Sequence, residues 1–297
     1  MEKYTSYQER KLNNQQAKLN SLLEQLPEFC KEYFNDPGIL TLSSKEAYAR
    51  EILSFLNFVA RNQPDMDINT IDVLERISSD NIDDYKLYLR CYEKNGTEYR
   101  NSLDGIKRKV FMIKAFYEYY YNKGLIQITP ECFDMKEKRR KEKNDNSAKS
   151  EKLIRDAIDA VASAQNLSGK QINYADKTHK RDLAIIRELC CSGITLTECV
   201  SLNCEDIDWD ESTISVDGKK GIRKILIDQK TLKTLEYYMQ YERKDKKNKA
   251  NDGNALFLSM QNRRMSGRAI EKMLKKYVDN DIKPMDFRHA RRAISQV

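Results

Sequence analysis

Ser192-Gly193-Ile194-Thr195-Leu196-Thr197-Glu198-Cys199-Val200-Ser201-Leu202, running on to Asp206-Ile207-Asp208, is the stretch on which the fold of this chain turns. A helix starts at Thr195, preceded by helical runs at about Glu151 to Ala164 and Lys180 to Cys191 and followed by the polar turn Trp209-Asp210-Glu211-Ser212. Further on, Ile214-Ser215-Val216 and Ile225-Leu226-Ile227 flank Asp217-Gly218-Lys219-Lys220-Gly221, the pattern of a β-hairpin. Thr231 to Glu242 reads as a helix and Ala255-Leu256-Phe257-Leu258-Ser259 as a short strand. Ser266 to Val278 is a further helix, with Ile270, Met273, Leu274 and Tyr277 on one side. The order of helices, hairpin, helix, strand and helix predicts a mixed α/β region with a small antiparallel sheet.

The amino-terminal half is rich in helical signals and poor in strand signals. Leucines at 19, 22, 23 and 26 precede Pro27, and Leu53, Phe55, Leu56, Phe58 and Val59 form a second apolar series. Between them, Thr41-Leu42-Ser43-Ser44-Lys45-Glu46 offers hydroxyl side chains to free backbone amides, so a helix is expected from about Ser44. Asn101 to Gly124 is the strongest element, with Leu103, Ile106, Val110, Ile113, Phe116, Tyr117 and Tyr120 at three- and four-residue spacing. Its other face carries Lys107, Arg108, Lys109 and Lys114. That face suits a polyanion, although a solvated lysine-rich surface has the same composition. Tyr117, Tyr119, Tyr120 and Tyr121 read mainly as core and rim packing. The expected architecture is mainly α, a helical bundle followed by the mixed region.

Between the halves lies Lys136-Glu137-Lys138-Arg139-Arg140-Lys141-Glu142-Lys143, with six basic residues against two acidic, running into Asn144-Asp145-Asn146-Ser147. Apolar residues vanish there, which marks a linker. It could track a phosphate backbone through Arg139 and Arg140 or serve as a plain tether. The expected boundaries are residues 1–130, 131–150 and 151–297.

With 297 residues, the chain is long enough for two cores, and its net charge of +7 is compatible with a polyanion without establishing one. No run approaches the length of a membrane span, and Met1-Glu2-Lys3-Tyr4 has no apolar signal core, so a cytoplasmic protein away from membranes is expected. The seven cysteines have no paired C-x-x-C spacing, and Cys190, Cys191 and Cys199 sit among apolar residues as packing thiols. Two histidines, His179 and His289, are too few for a histidine-based metal site, so no metal is expected.

The opening stretch resembles the first signature box of the tyrosine recombinases, or phage-type integrases, where a small-Gly-apolar-Arg-apolar-Ser/Thr-Glu run opens a helix. Leu26-Pro27-Glu28-Phe29-Cys30, Ala49-Arg50 through Phe58, Gly105-Ile106-Lys107-Arg108-Lys109, Ala255 to Ser259 and the Glu198 to Asp208 box are similar to integrases of low-GC Gram-positive bacteria. The resemblance implies a helical core-binding (SAM-like) domain at 1–130, a basic linker, and a catalytic-type domain at 151–297 that is truncated at its carboxy terminus. It also implies double-stranded DNA as partner and an oligomer with itself or an intact recombinase.

In that family a tyrosine hydroxyl attacks a DNA phosphodiester, and the resulting phosphotyrosyl link is later reversed, so the resemblance implies no cofactor. Arginines stabilise the phosphate charge and a hairpin lysine protonates the leaving oxygen. Carried over by position, the first arginine is Thr195, the orienting acid Glu198 and the hairpin lysine Lys219. In Lys283-Pro284-Met285-Asp286-Phe287-Arg288-His289 the family's His-x-x-Arg becomes Met285-x-x-Arg288, so the histidine is replaced and the arginine kept. The segment bearing the nucleophilic tyrosine is expected to be absent, and Tyr174 and Tyr277 read as packing rather than as substitutes. By residue type alone, Lys219 is also a solvated turn lysine and Arg288 a helix-start arginine. The resemblance therefore predicts a DNA-binding relative of the recombinases without cleavage activity. The alternative is a fragment or altered form of an active site-specific recombinase that cuts and rejoins DNA.

Overall fold

The computed structural model describes residues 6–37, 41–94, 96–127, 133, 147–164, 167–175, 177–218, 221–243, 254–279 and 281–295. Two compact units emerge, residues 10–140 and residues 141–297 with residues 1–9, each with its own apolar core. No helix among the described residues is long and apolar enough to cross a membrane.

The elements up to the linker are α1 (Ser6–Leu23), α2 (Glu28–Asn35), α3 (Leu42–Asn62), α4 (Val73–Arg76), α5 (Ser79–Tyr88), β1 (Cys91–Lys94), β2 (Thr97–Arg100) and α6 (Leu103–Asn122). Helix α3 begins after Thr41, whose hydroxyl oxygen accepts the Ser44 amide at 3.3 Å. Ser102 does the same for α6, accepting the Gly105 amide at 3.2 Å. Gly124, at φ +70°, then turns the chain so that its amide and that of Leu125 return to the Tyr121 and Tyr120 carbonyls. The three- and four-residue spacing of α6 buries Ile106, Val110, Ile113, Phe116, Tyr117 and Tyr120 in one core with Ile52, Phe55, Leu56 and Val59 of α3. One acid enters that core. Glu51 is 4% exposed, accepts the Tyr85 hydroxyl at 2.6 Å and pairs with Lys109 at 2.5 Å.

A purely helical amino-terminal half is corrected by the hairpin β1–β2, in which Tyr92 pairs with Tyr99 and Cys91 with Arg100. Every residue of β2 is exposed, so no apolar alternation announces it. The hairpin rests instead on the left-handed turn at Gly96, φ +72°, and on the stacked Tyr92 and Tyr99 rings, 5.4 Å apart. The Asn95-Gly96 dipeptide was the available signal.

The second unit contains α7 (Ser147–Ala162), α8 (Gly169–Ala175), α9 (His179–Cys191), α10 (Leu196–Ser201), β3 (Ile207–Asp208), β4 (Thr213–Gly218), β5 (Gly221–Leu226), α11 (Gln229–Tyr238), α12 (Gly267–Leu274) and α13 (Pro284–Ser295). A 3₁₀ turn at Cys204–Asp206 follows α10, and a π turn at Met239–Arg243 follows α11. The three strands form an antiparallel sheet in the order β3-β4-β5, with Ile214 opposite both Ile207 and Ile225. Helix α9 is the axis of this unit, burying Ala184, Ile185, Ile186, Leu189 and Cys190 and packing against α7, α11 and α13. Tyr277 belongs to its core, its hydroxyl 3.1 Å from Asp182 Oδ2, while Asp182 also holds Arg181.

The strand expected at Ala255 to Ser259 is a correction as well. Ala255 bridges Asn203 and Leu258 bridges Arg264, each in isolation. The chain reverses at once, with Ser259 N–H donating to Arg263 at 2.7 Å, so the segment divides its backbone bonds between two neighbours and no ladder forms.

Glu188 is buried with little compensation: it is fully inaccessible, and neither carboxylate oxygen has a hydrogen-bond partner by distance and angle among the described residues. The nearby Ser192 hydroxyl donates to its backbone carbonyl instead. Burial, reinforced by the Asp228 charge and tempered by Ser192, pushes the Glu188 pKa up from 4.5 to about 7. A carboxyl whose folded pKa exceeds its unfolded one favours folding below the unfolded value, and that contribution is lost as the pH rises toward 7. Raising the pH from 4 to 8 should therefore remove on the order of 3 kcal/mol of stability through this group. Urea unfolding of Glu188→Gln should show that loss abolished, with the variant the more stable form at pH 8.

Candidate functional site

Thr195 sits immediately before α10 in extended backbone, φ −78° and ψ 160°, and closes that helix's amino terminus. Its hydroxyl oxygen accepts the Glu198 amide at 3.2 Å, and Glu198 Oε2 accepts the Thr195 amide at 2.7 Å, a reciprocal capping box. The other carboxylate oxygen, Oε1, takes Nη1 of Arg223 from β5 at 2.7 Å. The far end of α10 is held too: Arg264 Nη1 donates to the Val200 and Leu202 carbonyls at 2.8 Å each, and Nη2 to Asn203 Oδ1 at 2.6 Å. Six helical residues are thus tied down at both ends.

Electrostatics at Glu198 follow from these partners. Burial alone would raise its pKa, but hydrogen bonds from Arg223 and from the Thr195 amide and hydroxyl outweigh it and hold the carboxyl below its usual range. Glu198 also raises the Arg223 pKa through the same bond.

Two further elements converge on this turn. Gly218, at the end of β4 and paired with Gly221, lies so close that a Cβ there would stand 2.9 Å from Glu198 Oε1 and 2.5 Å from Arg223 Nη1. A Cβ on Gly193, at φ +68°, would stand 3.4 Å from Cγ of Arg291, so α13 crosses the loop that leads into α10. Arg288 lies one turn before Arg291 on the same helix, with a buried Nε that has no hydrogen-bond partner among the described residues. Met285, in the first turn of α13, is 48% exposed.

Of the residues singled out by sequence, Thr195 and Glu198 meet directly, and the hairpin carrying Lys219 reaches them through Gly218. Lys219, Arg139 and Arg140 lie outside the described residues. On α6, Lys107 is half-buried and Arg108 exposed, whereas Lys109 is paired with Glu51 and Lys114 lies 3.9 Å from Glu118. Among the described residues, no three His, Cys, Asp or Glu side chains group as they would around a metal ion. Arg223 was missed by sequence reading. Its signal was a charge at an inward position of β5, where residues 221, 223 and 225 are half-buried and 222, 224 and 226 exposed.

A two-domain, mainly helical chain with a three-stranded antiparallel sheet beside a capped Gly-x-Thr-x-x-Glu turn is the architecture of a phage-type integrase. Residues 164–296 match the sequence model of the phage integrase family. A tyrosine recombinase XerC of Caldanaerobacter subterraneus subsp. tengcongensis is 26% identical over 258 residues, covering 83% of this chain and 66% of its own length. A tyrosine recombinase XerS of Streptococcus pneumoniae is 24% identical over 311 residues, covering 92% and 85%. The chain spans 66%, 58% and 60% of the first three curated relatives. Among solved structures, the Tn1549 transposon integrase in complex with a circular intermediate DNA superposes with a TM-score of 0.56 at 16% identity, covering 91% of this chain and 85% of that one. A lambda integrase bound as a tetramer to a Holliday junction gives 0.51 at 11%, covering 94% and 70%. These last two show the fold alone. Residues 164–296 belong to the phage integrase family, and the chain over most of its length is similar to tyrosine recombinases.

The capping role of Thr195 has a direct consequence for stability. Thr195→Ala should cost about 1 kcal/mol in urea unfolding, and Thr195→Asn, which keeps a side-chain acceptor, should recover most of it.

Proposed function

We propose that this chain binds double-stranded DNA through phosphate contacts and does not itself cleave it. The observation that carries this reading is the chemistry at position 195. Where the family places an arginine on the phosphate, this chain has a short neutral hydroxyl already committed to the Glu198 amide. A threonine in that bond offers no positive charge, and loss of one preorganised donor from a transition-state pocket typically costs ~10²- to 10³-fold in rate. Met285 adds a second deficit, since a thioether has no proton to donate in place of the family's histidine.

Binding asks for less than cleavage. Phosphate contacts supply most of a duplex's affinity without any proton transfer, and Arg288 with Lys219 provides cations at the family's positions. Residues 1–130 act in this reading as the core-binding domain, 131–150 as the basic linker and 151–297 as the catalytic-type domain. Lys107, Arg108, Lys114, Arg139 and Arg140 are its DNA-contact candidates outside the last, Lys109 being held by Glu51. A second copy, or an intact recombinase on the same DNA, is the expected protein partner.

The test is one titration read in two ways. Labelled duplexes across a salt series should bind with an affinity that falls by about 0.9 log units per log unit of salt for each phosphate neutralised. The same samples in a denaturing gel should show no protein–DNA adduct. A covalent adduct would overturn the non-cleaving reading, and salt-independent, negligible binding would overturn the DNA reading.

A further inference from the structure

Resting on that DNA reading, we propose that Arg223 places its guanidinium on a DNA phosphate at the α10 turn, beside the position where Thr195 leaves no arginine. The proposal assigns a phosphate contact to a residue of β5 rather than of the signature helix.

Position comes first. Glu198 Oε1 is 2.7 Å from Arg223 Nη1, and the same carboxylate is anchored 2.7 Å from the Thr195 amide by its other oxygen. Arg223 is therefore held within one residue's reach of the position at issue. Because Glu198 cannot swing away without opening the helix cap, much of the rotamer entropy of a surface arginine is already spent.

Orientation comes second. In this pair the carboxylate is the inner member, 10% exposed, and the arginine the outer one, 40% exposed. A guanidinium carries five N–H donors in a planar fork, of which the bond to Glu198 uses one. Nε and Nη2 have no hydrogen bond to the described residues, so they remain available to a second acceptor. Two parallel donors on one edge match the oxygens of a phosphate.

Space comes third. Gly218 leaves room for the pair: a Cβ there would lie 2.5 Å from Arg223 Nη1. Its backbone is not in the left-handed region, so alanine is tolerated by the main chain and would act by displacing the guanidinium and crowding Glu198 Oε1. Gly218 is thus a means of moving Arg223 without deleting any charge.

The experiment uses the full chain and a labelled duplex of mixed sequence in a salt titration, with thermal melting as the folding control. Arg223→Gln should weaken binding about tenfold at low salt and make the log–log salt slope shallower by up to about 1. Gly218→Ala should change binding in the same direction with every charge kept, and Arg223→Lys should retain most of the slope. A role limited to the ion pair with Glu198 would lower the melting temperature of Arg223→Gln and leave the slope alone. Parent-like affinity and slope in both Arg223→Gln and Gly218→Ala would overturn this inference while leaving the DNA reading intact. A parent chain with no salt-sensitive binding would overturn the DNA reading and this inference with it.

Discussion

A single carboxylate organises the carboxy-terminal unit. Glu198 caps α10 with one oxygen and holds the hairpin arginine with the other, so the helix start and the strand that follows the hairpin turn cannot move independently. Helix α10 has six residues, far below the length at which a helix persists without tertiary support. Its geometry comes from the capping box, from Arg264 on its last carbonyls and from Cys199 buried beneath it. That dependence makes the residue at position 195 a structural one first. Threonine is a good amino-terminal cap, so a side chain with no charge to offer a phosphate still holds this turn in place.

Opposite environments separate two glutamates that lie ten residues apart in sequence. Hydrogen bonds to Glu198 overcome its burial and favour the charged form, so its contribution to stability is present at neutral pH and lost as the pH falls through its lowered pKa. Glu188 has burial that Ser192 only tempers, and its contribution is lost in the other direction, as the pH rises toward 7. Asp228 sides with Glu198, its burial outweighed by bonds from Thr231 and the Lys230 amide at the start of α11. The unit is thus pinched from both sides of the pH scale, by caps that need charged carboxylates and by a core position that needs a neutral one.

Periodicity made the long helices and the β4–β5 hairpin legible, because α6 and α9 repeat apolar residues every three or four positions and β4 alternates Ile214 and Val216 inward. Two local features misled. Ala255 to Ser259 has a strand's composition, but whether a ladder forms depends on partners at Leu202 and Arg263 that composition does not name. The β1–β2 hairpin has no apolar alternation and was marked only by Asn95-Gly96. At the candidate site, the resemblance to integrases singled out Thr195, Glu198 and Arg288, and the fold joins the first two in a capping box. Arg223 escaped because its role depends on an acid 25 positions earlier, and only the sheet register brings the two together.

The same register argument separates arginines and lysines that sequence treats alike. Lys109 and Arg223 each face a glutamate, yet the consequences differ. Lys109 is a compact ammonium, 25% exposed, set against a carboxylate that is 6% exposed and also receives Tyr85; pulling it toward a polyanion would leave Glu51 charged inside the core. Arg223 can keep its bond to Glu198 through Nη1 while its other edge engages a second anion, since a planar fork serves two acceptors at once. A basic face counted from sequence therefore overstates what α6 can offer and overlooks what β5 can. Cations that stabilise their own fold contribute to counterion release only if their geometry lets them hold both partners.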